Sequence, residues 1–181
     1  LVLPEAQVEI AMVAIKDGAE RRVVHPAGWN KSPNYSYGIQ SGDTLFLAGL
    51  VARNMKDNSV VTSDIGLQTQ TVLSNAGEIL KAAGMTHADV ASSRVFITDA
   101  AKFQVMNAAY RPFFPKDPPA RATVKAALMN PGYQVEITLL AVKSSDREAI
   151  NPPGADGKPA QLSPNYSSGI RVGNRLYVAG M

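Results

Sequence analysis

The chain of 181 residues has no cysteine, two histidines and one tryptophan, and each scarcity excludes a class of chemistry. Without Cys there are no disulfides, no thiolate metal sites and no cysteine nucleophile; the compartment stays open, a cytoplasmic one being the expectation. His25 and His87 have no second ligand at metal-binding spacing, so any hydrolytic triad would have to be built on one of them. Both are read as loop histidines in solvent. There is no Gly-rich phosphate loop, no His-Glu-x-x-His, and no apolar run long enough to span a bilayer. The 18 Lys and Arg leave a net charge of +3 and are scattered rather than gathered into a stripe, which argues against nucleic acid as a partner. With 45% hydrophobic and 18% charged residues, the composition is that of an ordinary soluble globular protein. The first residue is Leu1, and the expectation is a processed or partial chain whose upstream signals are out of sight.

What the chain does have is repetition. Ser32-Pro33-Asn34-Tyr35-Ser36-Tyr37-Gly38-Ile39 returns as Ser163-Pro164-Asn165-Tyr166-Ser167-Ser168-Gly169-Ile170, and Leu47-Ala48-Gly49-Leu50 returns as Val178-Ala179-Gly180-Met181, both shifted by 131 (163 − 32). A second similarity, shifted by 127 (135 − 8), links Gln7, Val8, Glu9, Ile10 and Ala14 to Gln134, Val135, Glu136, Ile137 and Ala141. The expected organisation is one complete unit over 21–145. Residues 1–20 are then the C-terminal strand of a preceding unit, and 146–181 are a linker followed by the N-terminal hairpin of a following one. The flanking pieces are too short to bury a core alone.

Within the unit, Tyr35 to Gln40 and Thr44 to Leu50 flank a Gly-containing turn and read as a hairpin. Ser63 or Asp64 caps a helix whose apolar positions Ile65, Val72, Leu73, Ala76, Ile79, Leu80 and Ala83 keep the 3.6 period, with Gly84 as its stop. Val90 to Thr98 is a strand. Asp99 then caps a second helix in which Phe103, Met106, Tyr110, Phe113 and Phe114 share a face, ending at Pro115. Val8 to Ile15 and the alternating runs Ala120 to Leu128 and Val135 to Ala141 read as further strands. The order gives an α+β fold: a sheet of about six strands with two helices on one face. The other face is expected to carry Arg121, Thr123, Glu136 and Thr138, and to need covering by oligomerisation.

Arg121 on a rigid strand offers a planar fork able to hold a carboxylate; the alternative is an ion pair, with Glu136 as one partner. Glu136 could orient or deprotonate a water, or be structural. Asn107 falls between Met106 and Tyr110 on the apolar stripe of its helix, where its amide must find partners, by packing or in a site.

The stretch Pro118-Pro119-Ala120-Arg121-Ala122-Thr123-Val124, followed by Val135-Glu136-Ile137, resembles the signature of the RidA/YjgF family of enamine and imine deaminases. Tyr35, Ala48-Gly49 and Asn107-Ala108-Ala109-Tyr110-Arg111-Pro112-Phe113-Phe114 fall in the family's order. The resemblance implies the same α+β unit, assembled as a trimer whose sheets form a central barrel with active sites in the clefts between subunits. It implies hydrolysis of 2-imino or 2-enamino acids to 2-oxo acids and ammonia, with no metal or organic cofactor. Arg121 and Glu136 are then the catalytic pair, and Tyr35, Ala48, Gly49, Asn107 and Thr123 line the substrate. Tyr35 is implied to reach a neighbour's pocket, and Arg121 to meet either another chain's Tyr35 or Tyr166. The expected partners are a small 2-imino or 2-oxo acid and further units, as a homotrimer or a pseudo-trimer of fused units, with neither membrane nor nucleic acid. Ala48 stands where the family often has Ser, and Thr123 where it often has Cys. Two other readings remain: a carboxylate-binding scaffold without turnover, and a single-strand ribonuclease, which the lack of a basic groove with interleaved aromatics disfavours.

Overall fold

The structure, a computed structural model, describes residues 10–16, 20–153, 157 and 163–180. Its main sheet contains β1 (Arg21–Val24), β2 (Gly38–Ser41), β3 (Thr44–Leu47), β4 (Leu50–Val51), β5 (Val90–Ile97), β6 (Ala120–Lys125) and β7 (Val135–Val142). They run in the order β1-β2-β3-β7-β5-β6, and β4 pairs with β7 beyond the end of β3. Seven strands thus stand where about six were expected, because β1 pairs with β2 and the second hairpin arm breaks at Ala48-Gly49 into β3 and β4. The β2–β3 turn is two residues, with Gly42 at φ +57. A positive φ at the first central position matches the twist of the two strands.

α1 (Ile65–Ala82) and α2 (Phe103–Tyr110) cover one face. Asp64, not Ser63, caps α1 by accepting from the Leu67 N–H, and Gly84 at φ +71 ends it. All seven apolar positions expected to face the sheet are buried. The same face also buries Gln68, which the periodicity does not announce. Its Nε2 donates to the Gly132 carbonyl at 2.8 Å and its Oε1 accepts from the Gln134 N–H at 2.8 Å, tying α1 to the entry of β7. Asp99 caps a short 3-10 turn (Ala100–Lys102) that leads into α2, and a second such turn, Arg111–Phe113, follows it. This crossover makes β5 and β6 parallel.

Four expectations need correction. Ile10 to Lys16 form no strand; Val8 and Glu9 lie outside the described residues. Ile10, Met12 and Val13 are exposed, since strand propensity without a paired edge gives the backbone no hydrogen-bond partners. Residues 146–150 are not linker: β8 (Arg147–Ile150) pairs with β9 (Gly169–Val172), which pairs with β10 (Arg175–Val178). His87 is not a solvated loop residue. It packs between Phe113 and Phe114, its Nε2 donates to the Leu73 carbonyl at 3.0 Å, and a Cβ on Gly77 would stand 2.9 Å from its ring.

The fourth correction concerns the sheet faces. Arg121 is paired with Ser93, which is paired with Leu139; Thr123 is paired with Val95, which is paired with Ile137. Paired residues share a face, and Leu139, Ile137 and Val95 belong to the core under α1. Arg121 and Thr123 therefore lie on the helix face, and only Glu136 and Thr138 on the other. Alternation gives the relative sense within a strand, not between an edge strand and its neighbours. Ala120, on the opposite side of β6, joins a second cluster with Ala91, Val142, Ile170, Val172 and Ala179, where the β8–β10 sheet packs on the main one.

Candidate functional site

Arg121 is 5% exposed and Asn107 3%. α2 brings Asn107 over β6, where its Oδ1 accepts from Arg121 Nη2 at 2.7 Å. The Arg121 Cζ lies 4.7 Å from the centre of the Tyr110 ring, 5.8 Å from Phe103 and 5.9 Å from Tyr166. Among the described residues, Arg121 Nη1 has no hydrogen-bond partner, nor have Ser93 Oγ, Tyr110 OH and Thr123 Oγ1. No carboxylate forms a salt bridge with Arg121 among the described residues. Burial pulls the guanidinium below its ordinary value, but an arginine remains a cation at any physiological pH. Burial also pushes the Tyr110 phenol well above its usual range, so it stays neutral. A desolvated cation with a free donor and aromatic faces around it has the chemistry to hold a small anion.

Glu136 stands elsewhere. It is paired with Val51 on β4 and Phe96 on β5, on the face away from the helices. Phe96 is paired with Val124, three residues from Arg121. The two residues are thus separated by two strand spacings and three positions, about 10 Å in each direction, and point to opposite faces. The Arg121–Glu136 ion pair is ruled out. Burial alone raises the Glu136 carboxyl, which is half-buried and has no cationic partner among the described residues. Gly49 lies against it: a Cβ there would sit 2.2 Å from Glu136 Oε1, so any larger residue would displace the carboxylate. The neighbouring Ala48 N–H donates to the Tyr37 carbonyl at 3.0 Å, and Tyr35 is edge-on to Tyr37 at 5.5 Å. Tyr35 is 41% exposed and precedes β2, four strand spacings from β6.

The candidate residues therefore fall into two groups. Asn107, Arg121 and Thr123 gather under α2; Ala48, Gly49 and Glu136 gather at the break between β3 and β4, with Tyr35 near that corner. Tyr110 and Phe103, read from sequence as core aromatics, flank the guanidinium. Tyr110 follows Asn107 by three residues on α2, the spacing that sets both on one helix face.

The chain matches the family described as Endoribonuclease L-PSP over residues 29–143. It belongs to this family, the RidA/YjgF family. A RutC family protein of Sulfurisphaera tokodaii is 38% identical over 109 residues, 60% of this chain and 87% of that protein. The chloroplastic Reactive Intermediate Deaminase A of Arabidopsis thaliana is 33% identical over 107 residues, 59% of this chain and 57% of that one. The solved structure of E. coli TdcF with bound serine has a TM-score of 0.61 at 27% identity, covering 68% of this chain and 99% of that one. The α+β fold with two helices on a mixed sheet is the family fold.

Proposed function

We propose that the protein hydrolyses 2-imino or 2-enamino acids to 2-oxo acids and ammonia, with Arg121 anchoring the substrate carboxylate. The observation that carries this reading is the buried guanidinium, whose Nη1 is free and which has no carboxylate partner among the described residues. Asn107 fixes its orientation through Nη2, leaving Nη1 for the ligand. The naming of one relative as a reactive intermediate deaminase, and the serine bound to TdcF, an amino acid with a carboxylate, support it.

In the reaction, an enamine first tautomerises to the imine; water then adds to the C=N carbon, a proton passes to nitrogen, and the carbinolamine loses its hydroxyl proton as the C–N bond breaks, leaving the carbonyl and releasing ammonia. Glu136, whose raised carboxyl is a stronger proton acceptor than an ordinary one, takes the proton from water. Since Glu136 and Arg121 face opposite ways within a chain, the base serves a substrate held by the Arg121 of another copy. The trimeric assembly expected from the family is the arrangement that would bring them together.

The test couples a pyridoxal enzyme that generates imino acid to detection of the oxo acid. Arg121→Met and Glu136→Gln should each lower hydrolysis, the latter by at least about tenfold, and mixing the two variant chains should restore part of it. A second reading, carboxylate binding without turnover, is favoured by the lack of any carboxylate beside Arg121 among the described residues. It prevails if wild type binds 2-oxobutyrate but shows no hydrolysis above the spontaneous rate.

A further inference from the structure

The segment 163–180 repeats the sequence around β2 and β3, and the structure shows the repetition to be geometric as well. In the first hairpin Gly38 is paired with Leu47 and Ser41 with Thr44; in the second Gly169 is paired with Val178 and Val172 with Arg175, all displaced by 131. Both turns have glycine in the left-handed region at corresponding positions, Gly42 at φ +57 and Gly173 at φ +55. Each hairpin has a third strand beside its first arm: β1 pairs with β2 from Arg21↔Ser41 to Val24↔Gly38, and β8 pairs with β9 from Arg147↔Val172 to Ile150↔Gly169. Tyr166, Ala179 and Gly180 are thus the counterparts of Tyr35, Ala48 and Gly49. The first set stands at the Glu136 corner, with Tyr35 four strand spacings from β6 and Ala48 and Gly49 three. The second stands on β6 itself.

We infer that residues 163–180 complete the Arg121 pocket from within the same chain, with Tyr166 as the aromatic wall that a bound carboxylate touches; this rests on the reading of Arg121 as the anion site. β6 is the last strand of the main sheet, and an open edge there would leave its backbone groups unpaired. The second hairpin takes that edge. The Ser167 N–H donates to the Pro119 carbonyl at 3.3 Å and the Gly180 N–H to the Arg121 carbonyl at 3.2 Å, the second directly on the strand residue that bears the guanidinium. Gly180 allows the approach, because a Cβ there would lie 2.9 Å from the Ala122 Cβ.

Contacts on both sides hold the hairpin in place. Ile170, Val172 and Ala179 are buried against the second cluster of the main sheet. Arg111, one residue beyond α2, donates from Nε to Asn165 Oδ1 at 3.3 Å, and Arg175 donates to Thr44 Oγ1 at 2.6 Å. Tyr166 follows Asn165 directly, and its ring centre lies 5.9 Å from the Arg121 Cζ, as the α2 aromatics also approach it. The ligand is accordingly flanked by rings from two parts of the chain.

The cysteine-free chain makes the docking directly testable. Ala120 and Ser167 are bridge partners, so the double variant Ala120→Cys, Ser167→Cys should form a disulfide within one chain under mild oxidation. Disulfide-linked dimers, or no cross-link, would overturn the inference whatever the ligand does. For the site itself, Tyr166→Leu should weaken 2-oxobutyrate binding by about tenfold, an aromatic contact of ordinary strength. Loss of binding in Arg121→Met with Tyr166→Leu unchanged overturns the role of Tyr166 and leaves the anion site standing. If Arg121→Met binds like wild type, the functional reading fails, Tyr166 has no anion to wall in, and the cross-link then judges the docking alone.

Discussion

Replacing Arg121 with Met separates its worth to the fold from its worth to a ligand. Met keeps much of the side-chain volume and removes the charge. The change forfeits the 2.7 Å hydrogen bond to Asn107 Oδ1, about 1.5–3 kcal/mol for a charged donor, and the stacking on Tyr110 at 4.7 Å, about 1 kcal/mol. Against this, it removes the desolvation penalty of a guanidinium with no carboxylate partner among the described residues, several kcal/mol for a buried ion. The two sides nearly cancel, so Arg121→Met should fall within about 1 kcal/mol of wild type in urea unfolding. Asn107 is left short of a partner, and adding Asn107→Leu should recover about 1–2 kcal/mol. Saturating 2-oxobutyrate supplies the second readout: at a hundred times Kd it should stabilise wild type by about 2.7 kcal/mol and Arg121→Met not at all. A loss of more than about 3 kcal/mol that Asn107→Leu does not relieve, or equal stabilisation of both proteins by the ligand, would refute the reasoning.

Two further outcomes follow from titration. Burial raises the Glu136 carboxyl, so the folded state holds that proton more tightly than the unfolded chain; the associated stability is full at acid pH and lost as pH rises through the raised value. Glu136→Gln should therefore be more stable than wild type at pH 8 and closer to it at pH 5, measured by denaturation midpoints, and a constant gap would argue against the burial account. For His87 the sign is opposite. Burial lowers its pKa, so stability is present above the ordinary histidine value of about 6.5 and lost as pH falls below it; His87→Gln, read by thermal unfolding between pH 7.5 and 5, should lose less than wild type.

The sequence by itself determined the local elements. The 3.6 period of Ile65 to Ala83 fixed which side of α1 would be buried, Asp64 and Gly84 bounded it, and Gly42 marked the hairpin turn, because each depends on residues within a few positions along the chain. Repetition and motif order also singled out Arg121, Asn107 and Glu136 before any coordinate. What only the tertiary structure decided is which of them meet. Alternation along β6 and β7 is identical whether Arg121 and Glu136 share a face or not; the parallel register of β6 on β5, with Arg121 opposite Ser93, puts them on opposite sides. His87 looks like a loop residue until Phe113 and Phe114 close over it, and β8 looks like linker until β9 offers an edge. Tyr35 and Tyr166 sit in nearly the same local sequence. Only Tyr166 lies beside Arg121, because docking of a hairpin on a distant sheet edge depends on long-range contacts that no local pattern encodes.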